Sequence, residues 1–110
     1  MAVVTDAGVE ATLRGGQDDY RYLAVGTGIP SDAGCGTEVA RVRIDSFNIN
    51  GRTRTFKAYF AKEQALGNLT EWAMHQTPDD TIAFMYGSWS EPVVKDTTMG
   101  LLVTVTETWT

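Results

Sequence analysis

A chain of 110 residues and 12.0 kDa is large enough for one hydrophobic core and too small for two of ordinary size, so a single domain over residues 1–110 is expected. Its 43% hydrophobic and 21% charged residues are typical of a folded globular chain and exclude global disorder. A net charge of −5 at pH 7 disfavours binding to nucleic-acid phosphates, and the lack of a long apolar run disfavours a membrane-spanning helix.

The sequence also bears on the compartment in which the protein folds. The N-terminus shows no basic region followed by an apolar core, so no cleaved secretory signal is expected. The single cysteine, Cys35, excludes an internal disulfide and a cysteine-rich zinc site, and it fits a reducing compartment.

Taken in chain order, the first dozen residues permit a short capped helix. Thr5 and Asp6 are residue types that favour the N-cap, and Val9 and Leu13 are spaced four apart, as on one helical face. Residues 20–25 are rich in aromatic and branched side chains and predict a short strand.

Residues 26–37 predict a long loop. The segment GTGIPSDAGCGT combines glycines with proline, serine and aspartate, which is turn chemistry over more residues than most connections use. Its opening glycines resemble a nucleotide-binding loop only in part, because no helix start follows on which a phosphate could bind. A glycine-rich turn is the favoured interpretation, and long loops of this kind are often functional.

Asn50-Gly51 predicts a two-residue turn between strands over residues 39–49 and 52–62, since this dipeptide suits a type I′ turn. With these two residues as the turn, Arg41 faces Phe60 and Phe47 faces Arg54. One face of the hairpin then carries Arg41, Arg43, Phe47, Phe56 and Phe60. Because neither face is purely polar, we expect cover on both sides, by a second sheet on one and by a partner chain on the other.

The remaining segments predict further antiparallel strands. Residues 69–74 and 81–89 alternate in character and flank a turn at 78–80. Residues 101–110 alternate between an apolar face that ends in Trp109 and a row of threonines. About six short strands with turns between them predict an all-β fold, an antiparallel β-sandwich or flattened barrel, with the short N-terminal helix as an addition.

Reactive side chains are sparse. His75 is the only histidine, and a metal site would depend on Asp79 and Asp80, whose side chains point apart as sequence neighbours. Cys35 has no nearby basic residue in sequence to lower its pKa, and a nucleophilic role would require folding to bring His75 close. The residues therefore predict no enzyme, no cofactor and no metal.

Several segments share a pattern with one known family. They are residues 22–28 (YLAVGTG), 36–41 (GTEVAR), 4–8 (VTDAG), 69–74 (LTEWAM), 81–84 (TIAF) and 92–95 (PVVK) with the alternating final strand. In this order they resemble the N-terminal domain of bacteriophage tail-collar fibres and its free-standing relatives in phage virions. The resemblance implies a small β domain, made in the host cytoplasm and resident in the virion, that assembles without catalysis, often as a trimer or ring.

The resulting hypothesis is a structural protein of a tailed phage at the tail, baseplate or fibre attachment, where copies pack against one another and against other virion proteins. The predicted contact face is the set Arg41, Arg43, Phe47, Phe56 and Phe60, because interfaces are enriched in arginine and aromatic residues. The C-terminal strand with Trp109 is a second candidate, as an edge for strand addition.

Two alternatives stay open. A capsid decoration, or cement, protein on the phage head would need the same small acidic β domain. A carbohydrate-binding module for host glycans belongs to a different class and would use Trp72, Trp89 or Tyr86 as a stacking platform. Core or subunit contacts are the commoner use of tryptophan in so small a chain.

Overall fold

The computed structural model describes residues 2–4 and 21–108, and these residues form eight β-strands. The strands are β1 Ala2–Val4, β2 Tyr22–Gly26, β3 Glu38–Arg43, β4 Ser46–Asn50, β5 Thr53–Phe60, β6 Gly67–His75, β7 Met85–Lys95 and β8 Leu101–Thr108. All the pairings between them are antiparallel. Among the described residues, no helix is long and apolar enough to cross a lipid bilayer.

The strands form two sheets that pack face to face. One sheet has five strands in the order β1-β7-β6-β2-β3, and the other has three in the order β4-β5-β8. Both contribute side chains to one core, which includes Leu23, Val25, Trp72, Met74, Phe56, Ala58, Phe60, Val103 and Val105. The predicted all-β sandwich is confirmed.

The three-stranded sheet shows the alternation that the sequence predicts. Along β8, Val103, Val105 and Glu107 are buried, while the residues between them are exposed. Along β5, burial also changes with each residue, so that one face of the strand lies in the core. Residues 101–108 of the predicted final strand are therefore confirmed, whereas Trp109 lies outside the described residues.

The predicted hairpin register is wrong by two residues. Phe47 lies opposite Phe56 and not opposite Arg54, and Asn50 lies opposite Thr53. The turn therefore consists of Gly51 and Arg52. Gly51, with φ of 62°, supplies the positive φ that a tight hairpin turn needs at its first central position.

The predicted strand over residues 39–49 is divided between the two sheets. Arg41 lies opposite Ala24 and Arg43 opposite Tyr22 in the five-stranded sheet, so neither arginine lies opposite β5. The chain changes sheets at Ile44, whose amide bonds to the carbonyl of Arg21 at 2.8 Å. Corners of this kind let one long segment serve both layers of a sandwich.

The strand predicted over residues 81–89 is also displaced. β7 begins at Met85 and continues to Lys95, whereas residues 81–84 belong to the preceding connection. Leu69 pairs with Val93 and Glu71 with Ser88, so residues 89–92 bulge opposite Thr70. A bulge accommodates Pro92, which has no amide hydrogen for a regular ladder.

The N-terminal prediction is only partly within the described residues. Residues 2–4 form β1, which pairs with β7 through Val3 and Tyr86. This short strand was not expected from the sequence. The predicted helix that Thr5 and Asp6 would cap lies outside the described residues.

Candidate functional site: the glycine-rich loop held by Glu71

The connection from β2 to β3, residues 27–37, folds over the face of the five-stranded sheet that points away from the core. On this face Ala24 lies beside Ala73, and Tyr22 beside His75. A Cβ on Gly34 would lie 2.8 Å from the His75 ring and 4.0 Å from Cβ of Ala73. The loop predicted from the glycines is confirmed, and it covers the sheet at β6.

One carboxylate holds both ends of this loop. Glu71, in the middle of β6, is fully buried. Its Oε2 accepts hydrogen bonds from the amides of Gly28 at 2.6 Å and Thr37 at 2.9 Å, and its Oε1 accepts one from Gly36 at 2.6 Å. Bonds from amides to an ionised acceptor are short and stronger than neutral ones. The three amides therefore provide the polar partners that a buried carboxylate requires.

Further contacts close the same loop. The amide of Thr27 bonds to the carbonyl of Thr37 at 3.0 Å, and Oγ1 of Thr70 donates to the carbonyl of Gly28 at 2.9 Å. A Cβ on Gly26 would lie 2.2 Å from the Thr37 carbonyl oxygen and 2.4 Å from Oε2 of Glu71. Glycine is thus required at this position because the backbone and the carboxylate approach so closely.

A network of charged side chains fixes the neighbouring connection, residues 76–84, over the same face. Nη1 of Arg41 lies 2.9 Å from Oδ1 of Asp80, and Nη2 of Arg41 lies 2.7 Å from Oε1 of Glu38. The amide of Ala83 donates to the carbonyl of Asp32 at 2.8 Å, which joins the two loops. Arg41 therefore serves the packing of these loops against β3.

His75 is a buried and neutral member of this network. Its Nδ1 lies 2.8 Å from Oδ1 of Asp80 and 3.1 Å from the carbonyl of Ile82; both are acceptors, which assigns the ring hydrogen to Nδ1. Burial, followed by the positive charge of Arg41, lowers the pKa of His75. Nε2 has no hydrogen-bond partner among the described residues and faces Gly34.

Gly34, which precedes Cys35, lies against the ring of His75, but no hydrogen bond joins the Cys35 thiol to Nε2 of that ring. Burial, followed by the negative charges of Glu71 and Glu38, raises the pKa of the Cys35 thiol. Nε2 of His75 is itself buried. Within residues 2–4 and 21–108, no three His, Cys, Asp or Glu side chains are grouped so as to hold a metal ion.

The contact face predicted from the sequence does not exist as a single surface. Phe56 and Phe60 are 1% and 0% exposed and lie in the core, and Phe47 is half-buried with its ring centroid 4.9 Å from that of Phe56. Arg41 and Arg43 lie on the other sheet, and Arg41 is engaged by Glu38 and Asp80. The prediction is wrong because it assumed one continuous hairpin, whereas the chain changes sheets after Arg43.

The aromatic platform proposed for a carbohydrate-binding module is also divided. Trp72 is buried in the core, where its ring lies against Gly87. Trp89 is half-buried and packs against the same core, and Tyr86 is half-buried on β7. Trp72 is thus inaccessible for stacking a sugar.

Two residues of the candidate site were not singled out from the sequence, Glu71 and Ile29. Ile29 projects from the loop that Glu71 holds, and at 85% its side chain has the highest exposed fraction among the large hydrophobic residues that the structure describes. A signal for Glu71 was present. It is a charged residue at the centre of a largely apolar strand, and the glycine-rich segment that precedes it contains backbone amides that need acceptors outside a strand ladder.

Comparisons with protein-family models, with curated proteins and with solved structures found no match to this chain.

Proposed function

We propose that the protein is a structural assembly domain of a tailed-phage particle, at the tail, baseplate or fibre attachment, and that it docks through the loop of residues 27–37. The observation that carries this proposal is the combination of Glu71 and Ile29. The buried carboxylate of Glu71 holds the loop against the five-stranded sheet, and the loop presents the exposed apolar side chain of Ile29 to solvent.

A loop with this construction is suited to binding another protein. Association costs free energy when a flexible segment must be ordered at the interface. Here the three amide bonds to Glu71 have already ordered the segment, so Ile29 can enter a pocket on a partner with less of that cost. Exposed apolar side chains that bind in this way often supply much of the affinity of an interface.

The phage assignment has its support in the sequence resemblance. The resembling segments 22–28, 36–41 and 69–74 are the ones that contribute Gly28, Gly36, Thr37 and Glu71 to the loop and its anchor. Three of the six resembling segments therefore supply the two ends of the proposed docking loop and its anchor, and Ile29 lies between two of them. This coincidence favours assembly over a glycan-binding role.

The test is to recover virus particles from cells that produce the protein, and to measure its copy number by mass spectrometry and its position by electron microscopy. A small, fixed copy number at the tail is expected. Copies in the hundreds on the head would instead indicate a decoration protein, and absence from particles would overturn the proposal.

A matched pair of variants tests the loop itself. Ile29→Asp should reduce incorporation into particles at least about tenfold, a loss of about 1.4 kcal/mol of docking free energy. Val94→Asp is the control, because Val94 is also an exposed aliphatic residue, at 68%, but lies on β7. Equal incorporation of the two variants would show that the loop does not dock.

A further inference from the structure

Four of the described strands lie at the edges of the two sheets, and they are protected to different degrees. β1 has three residues and β4 has five, while β3 carries Glu38, Arg41 and Arg43. β8 has eight residues and pairs with β5 in an unbroken register from Leu101 to Thr108. Natural edge strands are usually short, charged, bulged or interrupted by proline, because an open edge can pair with another chain. β8 is not short, bulged or interrupted by proline, and its one charged residue, Glu107, points inward.

The side chains of β8 reinforce this difference. Its exposed row consists of Leu102, Thr104, Thr106 and Thr108, and no residue of the row is charged. The only ionisable residue of the strand, Glu107, faces inward and is bonded to Arg54 of β5. Within the described residues β8 pairs on one side only, so its second side offers an uncharged ladder of backbone amides and carbonyls.

We propose that this edge of β8 pairs with β8 of a second copy of the chain, antiparallel and across a two-fold axis. The two three-stranded sheets then form one six-stranded sheet. The inference rests on the proposed assembly role and names the partner of one surface in it, a surface distinct from the loop that carries Ile29.

The absence of charge on the exposed row of β8 favours a second copy as the occupant. Two copies with a net charge of −5 each repel one another, so a contact between them is most favourable where neither presents charge. β8 meets this condition along its whole exposed row. The row has no charged group with which to select an oppositely charged partner, and it is chemically complementary to itself.

The alternation of β8 also fits a two-fold axis. Antiparallel pairing about an axis normal to the sheet places exposed residues opposite exposed residues, and core residues opposite core residues. With Val105 at the axis, Thr104 lies opposite Thr106 of the second copy, and this pair occurs twice. Directly opposed threonines form favourable cross-strand pairs. The same register places Glu107 opposite Val103, which avoids a contact between the two carboxylates.

The first experiment compares two lysine variants by sedimentation equilibrium. Thr106→Lys should raise the dissociation constant of the dimer at least about tenfold, since lysine on an edge strand opposes pairing. Thr55→Lys is the matched control, because Thr55 lies opposite Thr106 on the same sheet face but belongs to the central strand β5. Equal weakening by both variants would indicate packing of the sheet faces and would overturn the proposal.

The second experiment tests the register and does not depend on the lysine variant remaining folded. In a Cys35→Ser background, a chain with Thr104→Cys is mixed with a chain with Thr106→Cys under mild oxidation. A disulfide between the two chains is expected, because directly opposed strand residues have the separation that a disulfide needs. A chain with Thr55→Cys mixed with the Thr106→Cys chain is the control and should remain unlinked.

The outcomes separate this inference from the proposed function. A wild-type chain that stays monomeric at the highest attainable concentration, or equal cross-linking in the control mixture, would overturn pairing through β8. If such a chain still entered phage particles in a manner that depends on Ile29, the assembly role would stand. If β8 dimers formed but the protein were absent from particles, the assembly role would fail and the pairing would stand.

Discussion

The amide of Gly28 donates a hydrogen bond to Oε2 of Glu71 at 2.6 Å, and so joins two residues that are 43 positions apart in the chain. The same carboxylate also receives the amides of Gly36 and Thr37. The first and last turns of the loop are thereby held at one point on β6. The conformation of the loop, and with it the position of Ile29, depends largely on this one carboxylate.

Glu71→Gln should lower the free energy of unfolding by about 3 kcal/mol, because hydrogen bonds to a charged acceptor contribute about 1.5–3 kcal/mol and unsatisfied buried donors are costly. The amide group of glutamine can accept through only one of its two terminal atoms, so at least one backbone amide loses its partner. Urea denaturation measures the change. Glu91→Gln, at an exposed position of β7, should alter stability by less than about 0.5 kcal/mol. Equal effects of the two substitutions would contradict the anchoring role of Glu71.

Gly34 should be intolerant of a side chain for two reasons, of which Gly51 shares only the positive φ. Its φ of 110° is strained for other residues, and a Cβ would lie 2.8 Å from the His75 ring. Gly34→Ala should therefore cost about 3 kcal/mol, from backbone strain together with overpacking. Gly51 also has a positive φ, of 62°, but a Cβ added there would meet no described atom within 4 Å, so Gly51→Ala should cost only about 1 kcal/mol. Comparison of the two thermal midpoints decides whether the His75 contact matters.

Acidification should destabilise the fold through His75. Burial, followed by the charge of Arg41, lowers the pKa of His75 in the folded state below its ordinary value of 6.5. The unfolded chain then binds the proton more readily, so the stability contributed by neutral His75 is complete above about pH 6.5 and decreases below it. Asp80 and Glu38 oppose this effect from the same network, because their negative charges favour the protonated ring.

Unfolding by urea at about pH 7.5 and about pH 5.5 measures this dependence. The wild-type chain should lose stability between the two conditions, and His75→Gln should lose less, whatever its stability at the higher pH. Asp96 does not contribute in this window, because a hydrogen bond from Thr98 lowers its pKa from an ordinary value of 3.8. Parallel pH profiles for the two chains would show that His75 is not the titrating group.

The position of β8 was predicted correctly from its alternation, since buried and exposed residues follow one another along most of the strand. β2 and β6 also lie close to their predicted positions, although their burial is nearly continuous because the sheet is covered on both faces there. The register of the hairpin was wrong because several two-residue turns are compatible with Asn50-Gly51-Arg52, and the choice among them depends on φ at Gly51. A change of sheet at Ile44 leaves no local signal, since both halves of the segment have the composition of a strand.

The candidate site was harder to predict for a different physical reason. The pattern around Glu71 indicates that its side chain faces a covered surface, but the three amides that stabilise it come from a loop more than 30 residues earlier in the chain. Hydrogen bonds between a side chain and a distant backbone depend on the tertiary fold, which amino-acid composition and the periodicity of hydrophobic residues do not specify.

Phe56 and Phe60 illustrate the converse error. As aromatic residues they suit an interface or a core equally well, and only the position of the second sheet decides between them.

Arg54 and Glu107 form a buried ion pair between β5 and β8, and their energetics can be separated by a double-mutant cycle. Nε of Arg54 lies 2.8 Å from Oε1 of Glu107, Nη2 of Arg54 contacts the same oxygen, and Cζ of Arg54 lies 5.7 Å from the centroid of the Phe56 ring. Oε2 of Glu107 is buried and has no hydrogen-bond partner in the part of the chain that the structure describes. Arg54→Met should cost about 3–5 kcal/mol, because it leaves the buried Glu107 carboxylate without the cation that it contacts, and Glu107→Leu should also be destabilising, because it removes the carboxylate bonded to the buried Arg54 guanidinium.

The double variant should be much less destabilised than the sum of the two single variants, since it removes both desolvated charges and fills the space with apolar atoms. Urea denaturation of the four chains gives the coupling free energy directly. An additive result would mean that water reaches the pair and screens it.

Because Glu107 is the only ionisable residue on β8, the same double variant also provides an edge strand without any charge, on which the pairing of two copies can be measured again. If the pair acts only within the sandwich, the dissociation constant of the β8 dimer should change by less than about threefold while the stability of the protomer changes.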